Sequence, residues 1–142
     1  MTTPIQKFKT QLQLTIADIK THLPYDRDFE LHEFKISTAM TINPRESIKW
    51  FMEILEPFAE QIITGNDKFF MNTDFKEKDM DENYFTIFTK IKSVWLSLNE
   101  TDRETIKRNF KLVLMLGTIA VQNENIRVII NKYRNPSNPL TW

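Results

Sequence analysis

The chain has 142 residues, of which 41% are hydrophobic and 27% charged, and its 19 basic residues balance its 19 acidic residues. This size and composition predict one globular domain and exclude the low-hydrophobicity, high-charge pattern of a disordered chain, and the zero net charge provides no overall attraction to nucleic acid or to an anionic membrane. Because the chain has no cysteine, disulfides, a thiolate nucleophile and a zinc–thiolate site are excluded.

The sequence has no pattern that favours secretion or membrane insertion. The amino terminus lacks the continuous apolar stretch of a signal peptide. The most apolar run, 112–121, has about half of the roughly 20 residues needed to span a bilayer. We therefore predict an intracellular protein that is not secreted, with no membrane insertion and with 112–121 in a buried helix.

Apolar residues recur at helical spacing along the chain, which has only two glycines for the tight turns of a sheet. The first predicted helix has one apolar face, formed by Ile5, Phe8, Leu12, Ile16, Ile19 and Leu23. A second helix is predicted over about 28–41. We expect Leu31, Phe34 and either Thr38 or Ala39 on its inner side.

The third predicted helix has clear start and stop signals. Asn43 can cap it, Pro44 suits its first position, and Glu46 occupies the place of a capping-box acid. Pro57 lacks the amide that would continue the hydrogen-bond ladder, so we predict a kink there, because the apolar stripe continues beyond it. Gly65 then ends the helix.

Three more helices complete the predicted fold. One starts near Asp81, and the next begins with a capping box formed by Thr101 and Glu104. The last starts around Asn123 or Asn125 and ends before Asn135. The helix over 101–122 loses its polar face after its first turns, as expected of a helix surrounded by others.

These patterns together predict an all-α fold. We expect a compact single-domain bundle of five or six helices, in which the helix near 101–122 is central and largely buried. The helical domain should span residues 1–134 and be followed by a tail, 135–142, that contains proline and asparagine.

The connection GNDKFFMNTDFKEKD, from Gly65 to Asp79, combines turn-forming residues with three phenylalanines. Its acids and amides do not have the spacing of a calcium loop, so we predict no metal site. Its phenylalanines have two interpretations, first a structural clasp that folds back into the core and second a protein interface. Two tryptophans outside the connection could also contact a protein. The candidate interface residues are Phe69, Phe70, Phe75, Trp50 and Trp142.

No group of residues predicts catalysis. The two histidines, His22 and His32, lie near the ends of consecutive helices without an associated serine nucleophile, and we expect both at the solvated surface. The acids lie mostly on polar helix faces, and neither glycine belongs to a phosphate-binding pattern. We therefore predict that the protein is not an enzyme and has no catalytic residue, cofactor or metal.

The carboxyl-terminal part of the chain is mildly basic. Four cations share much of one face of the helix after residue 101: Arg103, Lys107, Arg108 and Lys111. Such a face usually serves only as a solvated surface, although it is also where phosphates would bind. Nucleic acid is therefore the alternative partner.

The order of several short segments resembles a known group of proteins. These segments are INPRESIKWF, EPF, GNDKFFM, NTDF and IKSVWLSL, and they lie within about 31–116. In this order they resemble small, uncharacterised all-helical proteins encoded by giant nucleocytoplasmic large DNA viruses and related marine viruses. The resemblance implies a helical domain and a viral origin, and it brings no catalytic residues.

The first functional hypothesis is a non-enzymatic interaction or structural protein. It would bind a protein partner or self-associate through exposed apolar residues, in the host cytoplasm or nucleus or within the virion. The alternative is a nucleic-acid-associated factor that uses the basic helix face.

Overall fold

Eight α-helices build the part of the chain that the structure, a computed structural model, describes, namely residues 2–75 and 81–134. They are α1 (Pro4–Lys20), α2 (Arg27–Ile42), α3 (Pro44–Leu55), α4 (Ala59–Thr64), α5 (Lys68–Met71), α6 (Glu82–Trp95), α7 (Glu100–Val121) and α8 (Glu124–Tyr133). No strand occurs within those two ranges, and all eight helices contribute to one hydrophobic core. The predicted all-α, single-domain fold is confirmed; the predicted tail, 135–142, lies outside the described residues.

Helix α7 has the central place predicted for it. It packs against α1, α3, α4 and α8. The predicted apolar run lies within it, and its buried residues are Ile106, Phe110, Val113, Leu114, Gly117, Thr118 and Ala120. Along the described ranges, no helix is both long enough and apolar enough to cross a bilayer.

The start of α7 differs from the prediction. Asn99 caps the helix, because its side-chain oxygen accepts a hydrogen bond from the backbone amide of Asp102 at 2.8 Å. Thr101 therefore lies inside the first turn, and the predicted capping box of Thr101 and Glu104 is wrong. Asparagine is as good an N-cap as any residue, so the cap falls two residues earlier than the Thr-x-x-Glu pattern indicates.

The predicted third helix is divided rather than kinked. Helix α3 ends at Leu55, a 3-10 turn spans Glu56–Phe58 around Pro57, and α4 begins at Ala59. The apolar stripe nevertheless continues, because Phe58 and the residues on either side of the turn remain buried. Gly65 ends α4 as predicted, in the left-handed conformation with φ of 68°.

The orientation of α2 is the largest departure from the prediction. Its buried side chains are Phe29, His32, Ile36 and Met40, which face α3 and α6. Leu31 and Phe34, predicted to face the core, are exposed to 50% and 68%, and Thr38 and Ala39 are exposed as well. The predicted inner face of α2 is therefore its outer face.

Candidate protein-interaction surface

The aromatic connection between α4 and α6 folds into the core. Phe69 has no exposed surface, and five other phenylalanine rings lie around it with centroids 4.8 to 6.2 Å away. Phe70 stacks on Trp95 with a centroid distance of 4.3 Å. Phe75 stacks on Phe88 at 5.6 Å. Each of these rings therefore has an aromatic partner inside the molecule.

The interface interpretation of Phe69, Phe70 and Phe75 is consequently wrong, and their first interpretation, a structural clasp, is confirmed. The three side chains are buried to 96% or more, since their exposed fractions are 0%, 3% and 4%. The physical reason is the short helix α5, which places Phe69 and Phe70 side by side directly after the turn at Gly65. The polar residues serve that turn, in which Asn66 accepts a hydrogen bond from the amide of Lys68 at 2.9 Å.

Two of the four predicted phosphate-binding cations hold the fold together instead. Arg103 donates from Nε to the carbonyl oxygen of Trp95 at 2.9 Å and from Nη2 to that of Leu96 at 3.1 Å, which satisfies the end of α6. Lys107 Nζ lies 2.8 Å from Asp67 and 2.6 Å from Glu104. Both side chains are therefore directed at this chain's own oxygens, rather than at solvent, as the favoured interpretation of this face expects, or at the phosphates of the alternative interpretation.

The ion pairs of Lys107 also stabilise its charged form. Burial by itself would lower the pKa of Lys107, but the adjacent carboxylates of Asp67 and Glu104 outweigh it and raise the pKa above its ordinary value. Of the other two predicted cations on this face, Arg108 is exposed and Lys111 is half-buried. The four cations do not act as one unit.

His32 is buried, which contradicts the prediction of a solvated histidine. Its Nδ1 lies 2.7 Å from Asn83 Oδ1 at the start of α6, and its Nε2 lies 3.5 Å from Asp28 Oδ1. His22 is half-buried. Among the described residues, no three His, Asp or Glu side chains are grouped as a metal site. The residues around His32 thus join α2 to α6, and the predicted absence of catalysis stays a prediction.

The outer side of α2 carries an apolar stripe that none of the described residues covers. Leu31, Phe34 and Ile42 are exposed to 50%, 68% and 78%. Leu31 and Phe34 are three residues apart, and Thr38 follows at the next turn, so they share one side of the helix. We call Leu31, Phe34, Thr38 and Ile42 the outer stripe. Helix α2 therefore has an apolar stripe on each of two sides.

An open groove lies beside the outer stripe, between α1 and α2. Helix α1 packs chiefly on α7 and α2 chiefly on α6, so the two helices touch each other only slightly. The groove has a volume of about 540 Å³, and Phe34 forms part of its wall. Apolar side chains from both helices line it: Leu12, Ile16, Ile36 and Met40. The groove and the outer stripe form one continuous surface through Phe34.

Trp50 lies on the other side of α2. It is exposed to 53% and lines a second, smaller groove with Lys35 and Ala39 of α2 and with Asp81. Its exposure agrees with the requirement for a contact residue, although no part of the outer stripe lines that groove. Trp142, the other tryptophan predicted at an interface, lies outside the described residues.

Sequence reasoning named three residues of the outer stripe, Leu31, Phe34 and Thr38, but assigned them to the wrong side of α2. The residues of both sides follow helical spacing. The buried side contains His32, so its sequence pattern is more polar than that of a typical buried helix face. One signal for the true inner side was available in the sequence. Phe29, Ile36 and Met40 are large apolar residues that also repeat at helical spacing.

Comparison with known proteins provides no relative: no family model, no curated protein and no solved structure matches the chain.

Proposed function

We propose that the protein is a non-enzymatic interaction protein that binds another polypeptide through the outer stripe of α2 and the adjoining groove. The observation that carries the proposal is the exposure of Leu31, Phe34 and Ile42 on one helix beside an apolar groove. Exposed apolar patches on folded domains mark contact sites, and an aromatic side chain is the commonest anchor. A groove between two helices also suits a third helix with an apolar face.

The setting we propose is the one that the resemblance to giant-virus proteins implies. The protein would be encoded by a virus and would act in the host cytoplasm or nucleus or within the virion. The supporting observation is the order of segments within about 31–116, and the setting stays a prediction.

A nucleic-acid-associated role stays the alternative prediction. The structure reduces the number of residues that a test of this role must change. Arg103 and Lys107 donate to this chain's own oxygens, so Arg108 is the exposed cation on that face. A salt-dependent mobility shift with DNA or RNA that Arg108→Glu abolishes would support this role. A mobility shift of the Arg108→Glu variant equal to that of the wild type would contradict this role.

The proposed function is tested by comparing two variants in affinity capture from the cells that express the protein. Phe34→Asp places a charge on the outer stripe, and Val128→Asp places one on α8 at a side chain of matched exposure, 67% against 68%. We expect Phe34→Asp to recover at least about tenfold less of a bound polypeptide than the wild type, since an anchoring aromatic contributes more than 1.4 kcal/mol. Val128→Asp should recover as much as the wild type. Equal recovery by both variants would contradict the proposal.

A further inference from the structure

We propose that the polypeptide covering this surface is a second copy of the same chain, docked about a two-fold axis with its α2 antiparallel to the first. The inference rests on the proposed function and names the partner of the same site. Its support is the distribution of charge along the groove, together with the position of Phe34 on α2.

The groove has opposite charge at its two ends. At one end Lys20 Nζ lies 3.4 Å from Glu33 and 3.9 Å from Glu30, so that two acids and one base leave a net charge of −1. At the other end Lys9 lines the groove with Thr41, and its charge is +1. Because the end of α1 meets the beginning of α2, the two helices run antiparallel and the charge changes sign along the groove.

A two-fold axis makes this surface complementary to itself. When α2 of one copy lies antiparallel to α2 of the other, the end of the groove with Lys9 meets the partner's acidic end, and the reverse contact forms at the same time. Lys9 of each copy then faces Glu30 and Glu33 of the other. A parallel arrangement would place like charges together, so the charges favour the antiparallel one.

The residues of the outer stripe are also placed so that they can meet their own copies across the same two-fold axis. Phe34 lies at the middle of α2, which runs over Arg27–Ile42, with Leu31 one turn before it and Thr38 one turn after it. An antiparallel copy brings Leu31 opposite the partner's Thr38 and places both copies of Phe34 next to the axis. Residues beside a two-fold axis contact their own symmetry mates, so one aromatic side chain is used twice.

The first test measures molecular mass by sedimentation over a range of protein concentrations. We expect the wild type and Val128→Asp to form a dimer as concentration rises. Phe34→Asp should weaken the dimer by at least about a hundredfold, since it removes an anchor and adds a charge at both sides of the axis. Far-ultraviolet circular dichroism should show all three folded, because both side chains are exposed. A wild type that stays monomeric overturns the inference, as does equal dimerisation by Phe34→Asp.

The second test uses charge reversal and mixing. Lys9→Glu alone places like charges at each contact, and Glu30→Lys alone does the same while leaving the shorter Lys20–Glu33 pair in place. Each variant should dimerise about tenfold more weakly than the wild type, with a smaller difference at high salt. An equimolar mixture of the two restores opposite charges at both contacts, and its dimer should regain wild-type strength. A mixture as weak as its components overturns the antiparallel arrangement.

The result also separates this inference from the proposed function. If the wild type is monomeric while Phe34→Asp still loses a captured polypeptide that Val128→Asp retains, the partner is a different protein and only the self-association is wrong. If Phe34→Asp behaves as the wild type in sedimentation and in affinity capture, both proposals are wrong.

Discussion

Phe69 belongs to the core although most other residues of the connection between α4 and α6 are polar. Its ring meets Phe70 at 4.8 Å and Phe58 at 5.0 Å, mostly in tilted or edge-on arrangements that suit the charge distribution of aromatic rings. The neighbouring Lys107–Asp67 ion pair, at 2.8 Å, connects the same segment to α7. The connection therefore acts through tight packing, so that its aromatic side chains should contribute to stability and not to binding.

Replacing Phe69 tests this at one residue. Phe69→Ala leaves a cavity among the surrounding rings, and we expect the free energy of unfolding to fall by about 3–5 kcal/mol. The matched control is Met71→Ala, two residues further along α5 at a side chain exposed to 39%, which should cost less than about 1 kcal/mol. Urea titration of both variants measures the difference. A smaller loss for Phe69→Ala than for Met71→Ala would contradict the packing described above.

Asp26 makes stability depend on pH. Its side chain caps α2 by accepting from the amide of Phe29 at 2.9 Å, and it lies 2.9 Å from Lys90. The hydrogen bond from Phe29, and then that from Lys90, lower the pKa of Asp26 below its ordinary value of 3.8. Since the carboxylate is favoured in the folded state, its contribution is complete above pH 3.8 and is lost as the pH falls through the lower, folded pKa.

Asp26→Ala should lower the free energy of unfolding by about 1 kcal/mol at neutral pH, the usual cost of removing an N-cap. The difference from the wild type should shrink as the pH falls below 3.8. Thermal unfolding at several pH values measures it, with Glu53→Ala, on the exposed side of α3, as the control. A loss for Asp26→Ala that is as large at pH 2 as at neutral pH would show that the charge does not contribute.

At the scale of helices, local signals predicted where most helices lie but not which side of α2 is buried. The start at Pro44, the stop at Gly65 and the centrality of the helix near 101–122 depend on nearby residues, and all three were confirmed. The predicted capping by the side chain of Asn43 is wrong, because that side chain makes no capping hydrogen bond. The side of α2 depends on which neighbours it meets, and those neighbours, α3 and α6, are assembled only by the tertiary fold. The same holds for Phe69, whose partners include Phe110, far along the chain.

Gly117 lies where α7 packs closely against both α1 and α3. A Cβ atom at this position would overlap Met52 Sδ of α3 and lie 3.0 Å from Phe8 Cε2 of α1. Glycine inside a helix usually costs about 1 kcal/mol relative to alanine. Here the added methyl group must displace the fully buried Met52 and a rigid ring, which costs about 1–3 kcal/mol.

We therefore expect Gly117→Ala to destabilise the protein by about 1 kcal/mol, although most helix-interior replacements of this kind stabilise. Met52→Ala should cost less in the Gly117→Ala background than alone, because the shortened side chain relieves the overlap. Chemical denaturation of the two single variants and the double variant measures the coupling. A more stable Gly117→Ala would contradict the close approach of the helices.

For the whole molecule, the aromatic cluster and the ion pairs that stabilise the fold are separate from the outer stripe that is proposed to bind. The aromatic cluster around Phe69 is inside, and Arg103 and Lys107 are occupied by contacts within the chain. The outer stripe, with Phe34 at the middle of α2, faces solvent beside the groove. Changes at Phe34 should therefore affect binding while the free energy of unfolding of the isolated chain changes little.

The most direct test of this account is the reactivity of single cysteines placed on the two sides of α2. The chain has no cysteine of its own, so Phe34→Cys and Phe29→Cys each introduce a unique thiol. In dilute folded protein we expect Phe34→Cys to react with a thiol reagent nearly as fast as a free thiol. Phe29→Cys, at a position with no exposed surface, should react at least about a hundredfold more slowly, because the core must open first. Faster labelling of Phe29→Cys than of Phe34→Cys would contradict the orientation of α2 and the interaction surface built on it.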